Sequence, residues 1–343
     1  MCSSDLEGMF RQLGIYSSVG QLYEPTDTGQ IMYYREDQNG QVMEEGINEG
    51  GAFAAWLAAA TSYSTHDSPL IPFYVFYSMF GFQRVGDLCW AAGDLQARGF
   101  LMGGTSGRTT LNGEGLQHQD GHSHLLAATV PNCVAYDPTY AYELAVIIQH
   151  GLEEMFVRRL PKYYYITIMN ENYVHPRMPE GCEEGIIKGL YRLQKNSTSR
   201  SRKVVQLVGS GTILHEVIAA ADLLKEHFGV VADIWSATSF NELRREALAA
   251  ERWNMLHPTE KPRQSHVEAC FEKAPGPVIA ATDYMKAYAD QVSDFVSGTY
   301  TALGTDGFGR SDTRERLRSF FEVDRHFIAV AALHSLVQDN IIE

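Results

Sequence analysis

The sequence predicts an α/β protein built from two consecutive domains with parallel or mixed sheets. Its 343 residues are enough for about two domains. Short apolar runs alternate with segments of helical periodicity, which is typical of parallel strands covered by helices. One polar segment without apolar periodicity, residues 195–202, separates two such alternations and predicts a linker or hairpin between the domains.

The first domain is predicted over residues 35–195 and the second over 196–343. In the first domain, the pattern predicts strands at 70–77, 100–104, 133–136 and 163–169, and helices at 44–60, 140–156 and 180–193. In the second domain, it predicts strands at 204–208, 230–236, 278–281 and 327–331, and a helix at 213–228.

Composition and charge exclude several classes of function. The net charge of −14 argues against a surface for nucleic acid or for anionic membranes. No apolar run reaches the roughly 20 residues that span a bilayer. The 5 cysteines are scattered and form no CxxC motif, which indicates a reducing setting rather than a disulfide framework. We therefore expect a cytoplasmic protein that binds neither nucleic acid nor membrane.

The stretch 113–124 is the densest in side chains that carry chemistry. It contains His118, His122, His124 and Asp120, with glycines between them. Histidine readily exchanges a proton near neutral pH, and glycine lets a ligand approach the backbone closely. A reactive loop and a polar surface loop both fit this pattern. A metal site fits it less well, because structural zinc sites usually draw ligands from separated segments, and we expect none.

Glu49 lies near the start of the predicted helix 44–60. The residues behind it, 52–60, are apolar nearly all round, which is typical of a buried helix. We therefore expect Glu49 to be partly desolvated and to face a cleft, and a buried structural glutamate is the alternative. The aromatic run 72–82 predicts a core strand whose end suits an apolar pocket for a flat heterocycle.

Two glycine-rich segments approach phosphate-binding motifs without completing them. Gly209-Ser-Gly211 follows a predicted strand, but a dinucleotide fingerprint needs a third glycine where Leu214 stands. The segment 103–110 resembles a P-loop, yet its spacing is one residue short and Arg108 replaces the lysine. Neither segment predicts a phosphate site.

Several long, unbroken motifs resemble the homodimeric type of pyruvate dehydrogenase E1 component, within the thiamin-diphosphate, transketolase-like superfamily. The matching segments are Glu45-Gly-Ile-Asn-Glu49, 58–65, 76–84, 86–93, 103–118, 169–173, 251–257 and 304–312. The resemblance covers nearly everything after about residue 7.

This resemblance implies a particular fold and domain order. Residues 35–195 would form the pyrimidine-binding domain, a thiamin-diphosphate-binding fold, and residues 196–343 a transketolase C-terminal-like domain. Residues 1–34 would be the remnant of an inter-domain region. The C-terminal domain is expected to support the dimer and to carry no cofactor chemistry.

The resemblance also implies a cofactor, thiamin diphosphate, bound between domains of two subunits. Glu49 matches the catalytic glutamate that hydrogen-bonds the pyrimidine ring nitrogen. Tyr77 and Phe80 match the aromatic residues around that ring, and His118 matches a catalytic histidine near the substrate. His122 and His124 would support the loop.

The sequence departs from the family in one respect. In the family, a GDG motif followed by an asparagine ligates the Mg²⁺ that holds the diphosphate, and no such pair occurs here. The resemblance therefore implies the C-terminal portion of an E1 subunit, with Mg²⁺ expected from the missing domain. We expect this chain alone to show no appreciable decarboxylation of pyruvate.

The implied function is oxidative decarboxylation of pyruvate with transfer of the acetyl group to a lipoyl domain. The implied partners are a second E1 subunit in a homodimer and the dihydrolipoyl acetyltransferase E2 with its lipoyl domain. Two alternatives stay open. One is a β-type subunit that needs a separate chain carrying the Mg-diphosphate motif, and the other is a non-catalytic scaffold.

Overall fold

The structure, a computed structural model, describes residue 9 and residues 12–26, 34–112 and 115–343. Part of the expected remnant 1–34 lies outside the described residues. So do residues 113 and 114, the first two of the stretch 113–124. None of the helices in these ranges combines the length and the apolar character that a membrane span requires.

Strands and helices alternate along the described chain. The strands are β1 (Ile15–Tyr16), β2 (Glu36–Asp37), β3 (Phe73–Tyr77), β4 (Phe100–Gly104), β5 (Cys133–Tyr136), β6 (Tyr163–Thr167), β7 (Leu190–Gln194), β8 (Val204–Gly209), β9 (Val231–Ala237), β10 (Val278–Ala281) and β11 (Tyr300–Leu303). The helices are α1 (Glu49–Ala60), α2 (Ser62–Thr65), α3 (Gly81–Asp94), α4 (Ser123–Ala127), α5 (Ala141–Leu152), α6 (Glu183–Lys188), α7 (Ile213–Phe228), α8 (Phe240–Leu256), α9 (His266–Phe271), α10 (Lys286–Asp290), α11 (Arg314–Phe320) and α12 (Arg325–Gln338). Short turns of 3-10 helix cover Leu116–His118 and Ser293–Phe295, and a π-helical turn covers Glu153–Val157.

The first domain holds a parallel sheet in the order β3-β4-β6-β5, with helices on both faces. Strand β6 shows how the sequence builds this layer, because all of its residues are buried and successive side chains point to opposite faces. Tyr163 and Tyr165 pack against α1 and α3. Tyr164 and Ile166 pack against α5 and α6 on the other face.

The second domain holds a mixed sheet in the order β11-β10-β8-β9-β7. Its strands are parallel except β7, which pairs antiparallel with β9. Helices α7 and α12 cover one face, and α8, α9 and α10 cover the other. The predicted α/β class with parallel and mixed sheets is thus confirmed.

The predicted helix over 180–193 is wrong beyond Lys188. Gly189 ends α6 in the left-handed conformation, at φ 101°, which glycine adopts without steric cost. Residues Leu190–Gln194 then form β7 in the second sheet. This strand precedes the predicted boundary at residue 195, and we propose that the second domain begins at its first residue.

The predicted strand over 327–331 is also wrong, because it lies inside α12. Asp324 caps that helix by accepting hydrogen bonds from the backbone N–H groups of His326 (2.9 Å) and Phe327 (3.0 Å). A short apolar run has no periodicity that separates a strand from a buried helix, so the cap decides the structure.

A buried carboxylate joins the carboxyl ends of the two sheets. Asp283 follows β10 and is buried. Its carboxylate accepts hydrogen bonds from the backbone N–H groups of Thr109 (3.0 Å) and Thr110 (3.2 Å) and from both hydroxyls (2.7 and 2.8 Å). These threonines lie in the segment 103–110 after β4. The backbone donors of this P-loop-like segment therefore bind a carboxylate of the second domain.

We expect Gly107→Ala to lower the free energy of unfolding by roughly 3 kcal/mol. Gly107 has φ 79°, which strains an alanine, and an added methyl group would overlap the carboxylate of Asp283. Gly181→Ala is the matched control, because Gly181 has φ 72° and no atom within 4 Å of the added methyl group. Urea unfolding measures both variants, and equal losses would contradict a close packing of the two domains at Gly107.

Candidate active site

Glu49 is the first residue of α1. The N-cap Asn48 accepts a hydrogen bond from the backbone N–H of Gly51 at 3.1 Å and so fixes where the helix begins. The Glu49 side chain is 21% exposed and forms an ion pair with Arg84, with 2.7 Å between Oε1 and NH1. The carboxylate is therefore partly shielded from solvent and held at the start of the helix.

The expectation that the helix behind Glu49 is buried all round is wrong for this chain. Phe53 and Trp56 are buried against the first sheet, whereas Ala54 and Ala58 are exposed on the opposite face. Alanine is the best helix former and has little apolar area, so an alanine-rich run does not require burial on every side.

The structure brings His118 together with Tyr77 and Phe80. The His118 ring centroid lies 5.0 Å from that of Tyr77 and 5.1 Å from that of Phe80. Tyr77 ends β3, and the loop after β4 carries His118, so both come from the carboxyl edge of the first sheet. Ligands in open parallel sheets bind at this edge.

Arg84 links Glu49 to this aromatic group. The Cζ of Arg84 lies 4.1 Å from the centroid of the Phe80 ring. One guanidinium nitrogen of the same side chain forms the ion pair with Glu49. Sequence reasoning did not single out Arg84, although it lies within a matching segment. All four predicted site residues thus belong to one connected group of side chains.

The chemistry of this group fits an aminopyrimidine ring. Glu49 offers a carboxylate that can accept a hydrogen bond or hold a proton, and Tyr77 and Phe80 offer aromatic faces for a flat heterocycle. For the metal-diphosphate half, the part of the chain that the structure describes contains no group of three or more His, Cys, Asp or Glu side chains placed to hold a metal ion.

The other polar residues of the stretch 113–124 point to different surroundings. Asp120 is buried just before α4 and accepts hydrogen bonds from the backbone N–H groups of His122 and Ser123, both at 3.0 Å. His124 is buried among Tyr165, Tyr284 and Tyr288. His118 and His124 therefore have separate surroundings.

Thr167 connects His124 to a second buried carboxylate, Asp137. Its hydroxyl lies 2.7 Å from Asp137 Oδ1 and 3.0 Å from His124 Nε2. Burial raises the pKa of Asp137 to about 7 and lowers the pKa of His124 to about 4. Both groups are thus favoured in their neutral forms where the two domains meet.

Sequence reasoning missed Asp137 and Asp283. Asp137 follows β5, its backbone N–H donates to Thr238 O at 2.8 Å, and it adjoins the turn at Gly211 that begins the second domain's first helix. Nothing in the local pattern separates such a carboxylate from a solvated one after a strand. The sequence signal that could have identified Asp137 and Asp283 was their position, because each follows a strand that was predicted to be parallel and buried.

The comparisons with known proteins agree with this architecture. A family model described as the pyruvate dehydrogenase E1 component middle domain matches residues 2–176. The chain belongs to the pyruvate dehydrogenase E1 component family. A second model, the transketolase-like TK C-terminal domain, matches residues 189–324.

Curated relatives are similar along almost the whole chain. The pyruvate dehydrogenase E1 component of Pseudomonas aeruginosa is 65% identical over 339 residues, and that of Escherichia coli K12 is 58% identical over 340 residues. In both cases the match covers 98% of this chain and 38% of the relative. The chain therefore spans little more than a third of the length of these relatives.

Solved structures share the fold. A transketolase from Pichia stipitis in complex with sedoheptulose-7-phosphate has a TM-score of 0.64 at 14% identity, over 92% of this chain and 40% of that chain. A split-gene transketolase, described as an inactive beta4 tetramer, has a TM-score of 0.58 at 13% identity, over 97% of this chain and 95% of that chain. At such identities the likeness shows the fold alone.

We expect Asp137→Asn to change how stability depends on pH. Asp137 keeps its proton to about pH 7 in the folded chain, whereas the ordinary pKa is 3.8, so its contribution to stability falls as pH rises between these values. The amide mimics the neutral carboxyl and removes this loss. Relative to the original chain, the variant should gain roughly 3 kcal/mol between pH 4 and pH 7.

Urea unfolding at several pH values measures this difference. Asp222→Asn is the control, because Asp222 lies on the exposed side of α7. The free energy of unfolding of this variant should depend on pH in the same way as that of the original chain. A constant difference between Asp137→Asn and the original chain across this pH range would contradict the account.

Proposed function

We propose that this chain supplies the pyrimidine half of a thiamin diphosphate site to an enzyme that oxidatively decarboxylates pyruvate and passes the acetyl group to a lipoyl domain. The single observation that carries the proposal is the connected group in which His118 contacts Tyr77 and Phe80 and Arg84 joins Phe80 to Glu49. Membership of the E1 family supports the substrate.

Each of these residues has a distinct task in the proposed site. Thiamin diphosphate, when bound, would supply the carbanion chemistry that decarboxylates a 2-oxo acid. Glu49 would hydrogen-bond the ring nitrogen of the aminopyrimidine and exchange a proton with it. Tyr77 and Phe80 would hold the ring by apolar contact and exclude water from it. The imidazole of His118 would bind the substrate carboxylate or move a proton near it.

The ion pair of Glu49 with Arg84 bears on this proposal. The Arg84 side chain is half exposed, and an ion pair in such a position contributes about 0–1 kcal/mol. Arg84 can therefore turn away from Glu49 at small cost when a ring nitrogen takes its place. The stacking of Arg84 on Phe80 would keep the guanidinium close to the site.

Exposed apolar side chains support the proposed homodimer. Ala54 and Ala58 leave one face of α1 uncovered, and Ile47, Leu70 and Ile71 next to α1 and β3 in sequence are each at least half exposed. Exposed apolar surface of this kind is typical of a subunit interface. We propose a second E1 subunit as its partner, and the acetyltransferase E2 with its lipoyl domain as the partner of the assembled enzyme. The metal-diphosphate half and its Mg²⁺ would come from outside these residues.

The free thiols among the described residues, Cys89, Cys133, Cys182 and Cys270, support a cytoplasmic location.

The alternative of a β-type or non-catalytic subunit stays a prediction. The non-catalytic alternative predicts that neither of the two variants below changes the rate.

We expect Glu49→Gln to lower the rate of pyruvate decarboxylation by about 10²-fold or more, as is usual for a lost acid–base group. The assay uses a chimera in which this chain replaces the matching 38% of the Pseudomonas aeruginosa relative. Glu45→Gln is the matched control, since Glu45 is exposed and four residues upstream, and it should leave the rate unchanged. Equal rates for both variants would rule out the role of Glu49.

We expect His118→Ala to impair reaction with pyruvate or with the lipoyl acceptor in the same chimera while the protein stays folded. The ring packs on Tyr77 and Phe80 near the surface, so its removal takes away a proton-exchanging group without opening the core. His122→Ala is the comparison, because His122 is also partly exposed and lies in the same loop. Full activity of His118→Ala with both substrates would overturn the assignment.

A further inference from the structure

Gln119, next to His118, is a buried amide with an unusual set of partners. Only 1% of it is exposed. Its Nε2 donates hydrogen bonds to Leu111 O (3.0 Å) and to Arg310 O (2.7 Å), and its Oε1 accepts from the backbone N–H of Arg310 (2.7 Å). The amide therefore pairs with both backbone groups of Arg310, as a neighbouring strand would, across a sequence separation of 191 residues.

The residue before Arg310 completes this contact. A Cβ on Gly309 would lie 2.6 Å from Gln119 Oε1 and 2.7 Å from Leu116 O. Real Cβ atoms do not approach so closely, so only glycine lets the two backbones meet here. The loop 304–312 of the second domain thus packs directly on the turn that ends at His118.

This loop is itself fixed to the second domain. The backbone N–H of Thr305 donates to Tyr284 O at 2.8 Å, and the Thr305 hydroxyl donates to Asp283 O at 2.8 Å. Asp306 Oδ1 accepts from the backbone N–H of Lys286 at 2.9 Å. The loop 304–312 is therefore attached by hydrogen bonds to the segment that follows β10.

The turn on the other side of the contact holds His118. The backbone N–H of His118 donates to Gly115 O at 3.0 Å, and that of Gln119 donates to Leu116 O at 3.3 Å. Leu116 O is thus shared between the turn and the surface on which Gly309 packs. The loop 304–312 and the turn are therefore in direct contact through Gly309 and through the hydrogen bonds of Gln119.

We propose that Gln119 is a positioning residue that fixes the imidazole of His118 against Tyr77 and Phe80, and that it does so by pairing with the loop 304–312 of the second domain. The second domain then helps to position a residue of the site, whereas the family resemblance implies only that this domain supports the dimer. The catalytic consequence rests on the proposed function of His118, but the positioning itself does not.

The direct test is the magnetic resonance of the His118 ring in the 343-residue chain, labelled with ¹³C-histidine. His118→Ala identifies its signal among the 12 histidines. Because two aromatic rings lie about 5 Å away, the Hε1 shift should differ from that of a solvent-exposed histidine. We expect Gln119→Leu and Gly309→Ala to remove at least half of this difference.

Matched controls separate the contact from the chemistry of the substitution. Gln117→Leu makes the same change on the other side of His118, at an exposed residue, and should leave the shift in place. Gly86→Ala adds a methyl group where no atom lies within 4 Å and should also have no effect. If Gln119→Leu fails to fold, Gly309→Ala perturbs the same contact from the other domain and still decides the matter.

A kinetic cycle in the chimera tests the catalytic consequence. Gln119→Leu should lower kcat by about tenfold or more, because misplacement of a catalytic group by about 1 Å can cost about 10²-fold in rate. In the His118→Ala background, Gln119→Leu should cause little further loss, since both changes act through one group. Equal losses in the two backgrounds would show that Gln119 does not act through His118.

The two readouts fail separately. An unchanged His118 signal in folded Gln119→Leu and Gly309→Ala chains would overturn the positioning, whatever the enzyme does. A changed signal together with full activity of His118→Ala would overturn the proposed role of His118 and leave the positioning supported.

Discussion

The geometry of the candidate site depends on one buried contact, the carboxylate of Asp283 with the backbone and hydroxyl donors of Thr109 and Thr110. A buried carboxylate without donors would be costly, and four donors of the first domain make it tolerable. Because the donors lie in the loop after β4, this contact fixes the loop that continues to His118. Asp283 O also accepts from Arg108 N and from the Thr305 hydroxyl, so the same residue fixes the loop 304–312.

Around this contact, the carboxyl ends of both sheets face each other. Asp137 follows β5 and Thr167 ends β6 in the first sheet, and Gly211 and Thr238 follow strands of the second. Burial raises the pKa of Asp137 and lowers that of His124, which favours the neutral form of each group at this interface. His118 lies next to Gln119, which pairs with Arg310 of the second domain at this interface.

The sequence predicted the buried parallel strands and missed two helix caps and the contacts between residues that are distant in sequence. Strands such as β6, buried on both faces, form continuous runs that are visible in the sequence. The predicted helix over 180–193 is wrong beyond Lys188, because Gly189 adopts a left-handed conformation that ends the helix. The predicted strand over 327–331 is wrong because Asp324 caps a helix that contains this short apolar run. Tyr77, Phe80 and His118 were found through family motifs, and the structure brings them together. Asp283 meets Thr109 across 174 residues, which no window of sequence displays.

Native-state hydrogen exchange at the amides of Thr109 and Thr110 tests the central contact most directly. If Asp283 joins the two domains, both amides should exchange only when the domains separate or unfold, with a free energy of opening close to that of buried strand β6. Asp283→Asn should lower that opening energy selectively at these two amides. Fast exchange of both amides in the native chain, by local opening while β6 stays protected, would contradict the account.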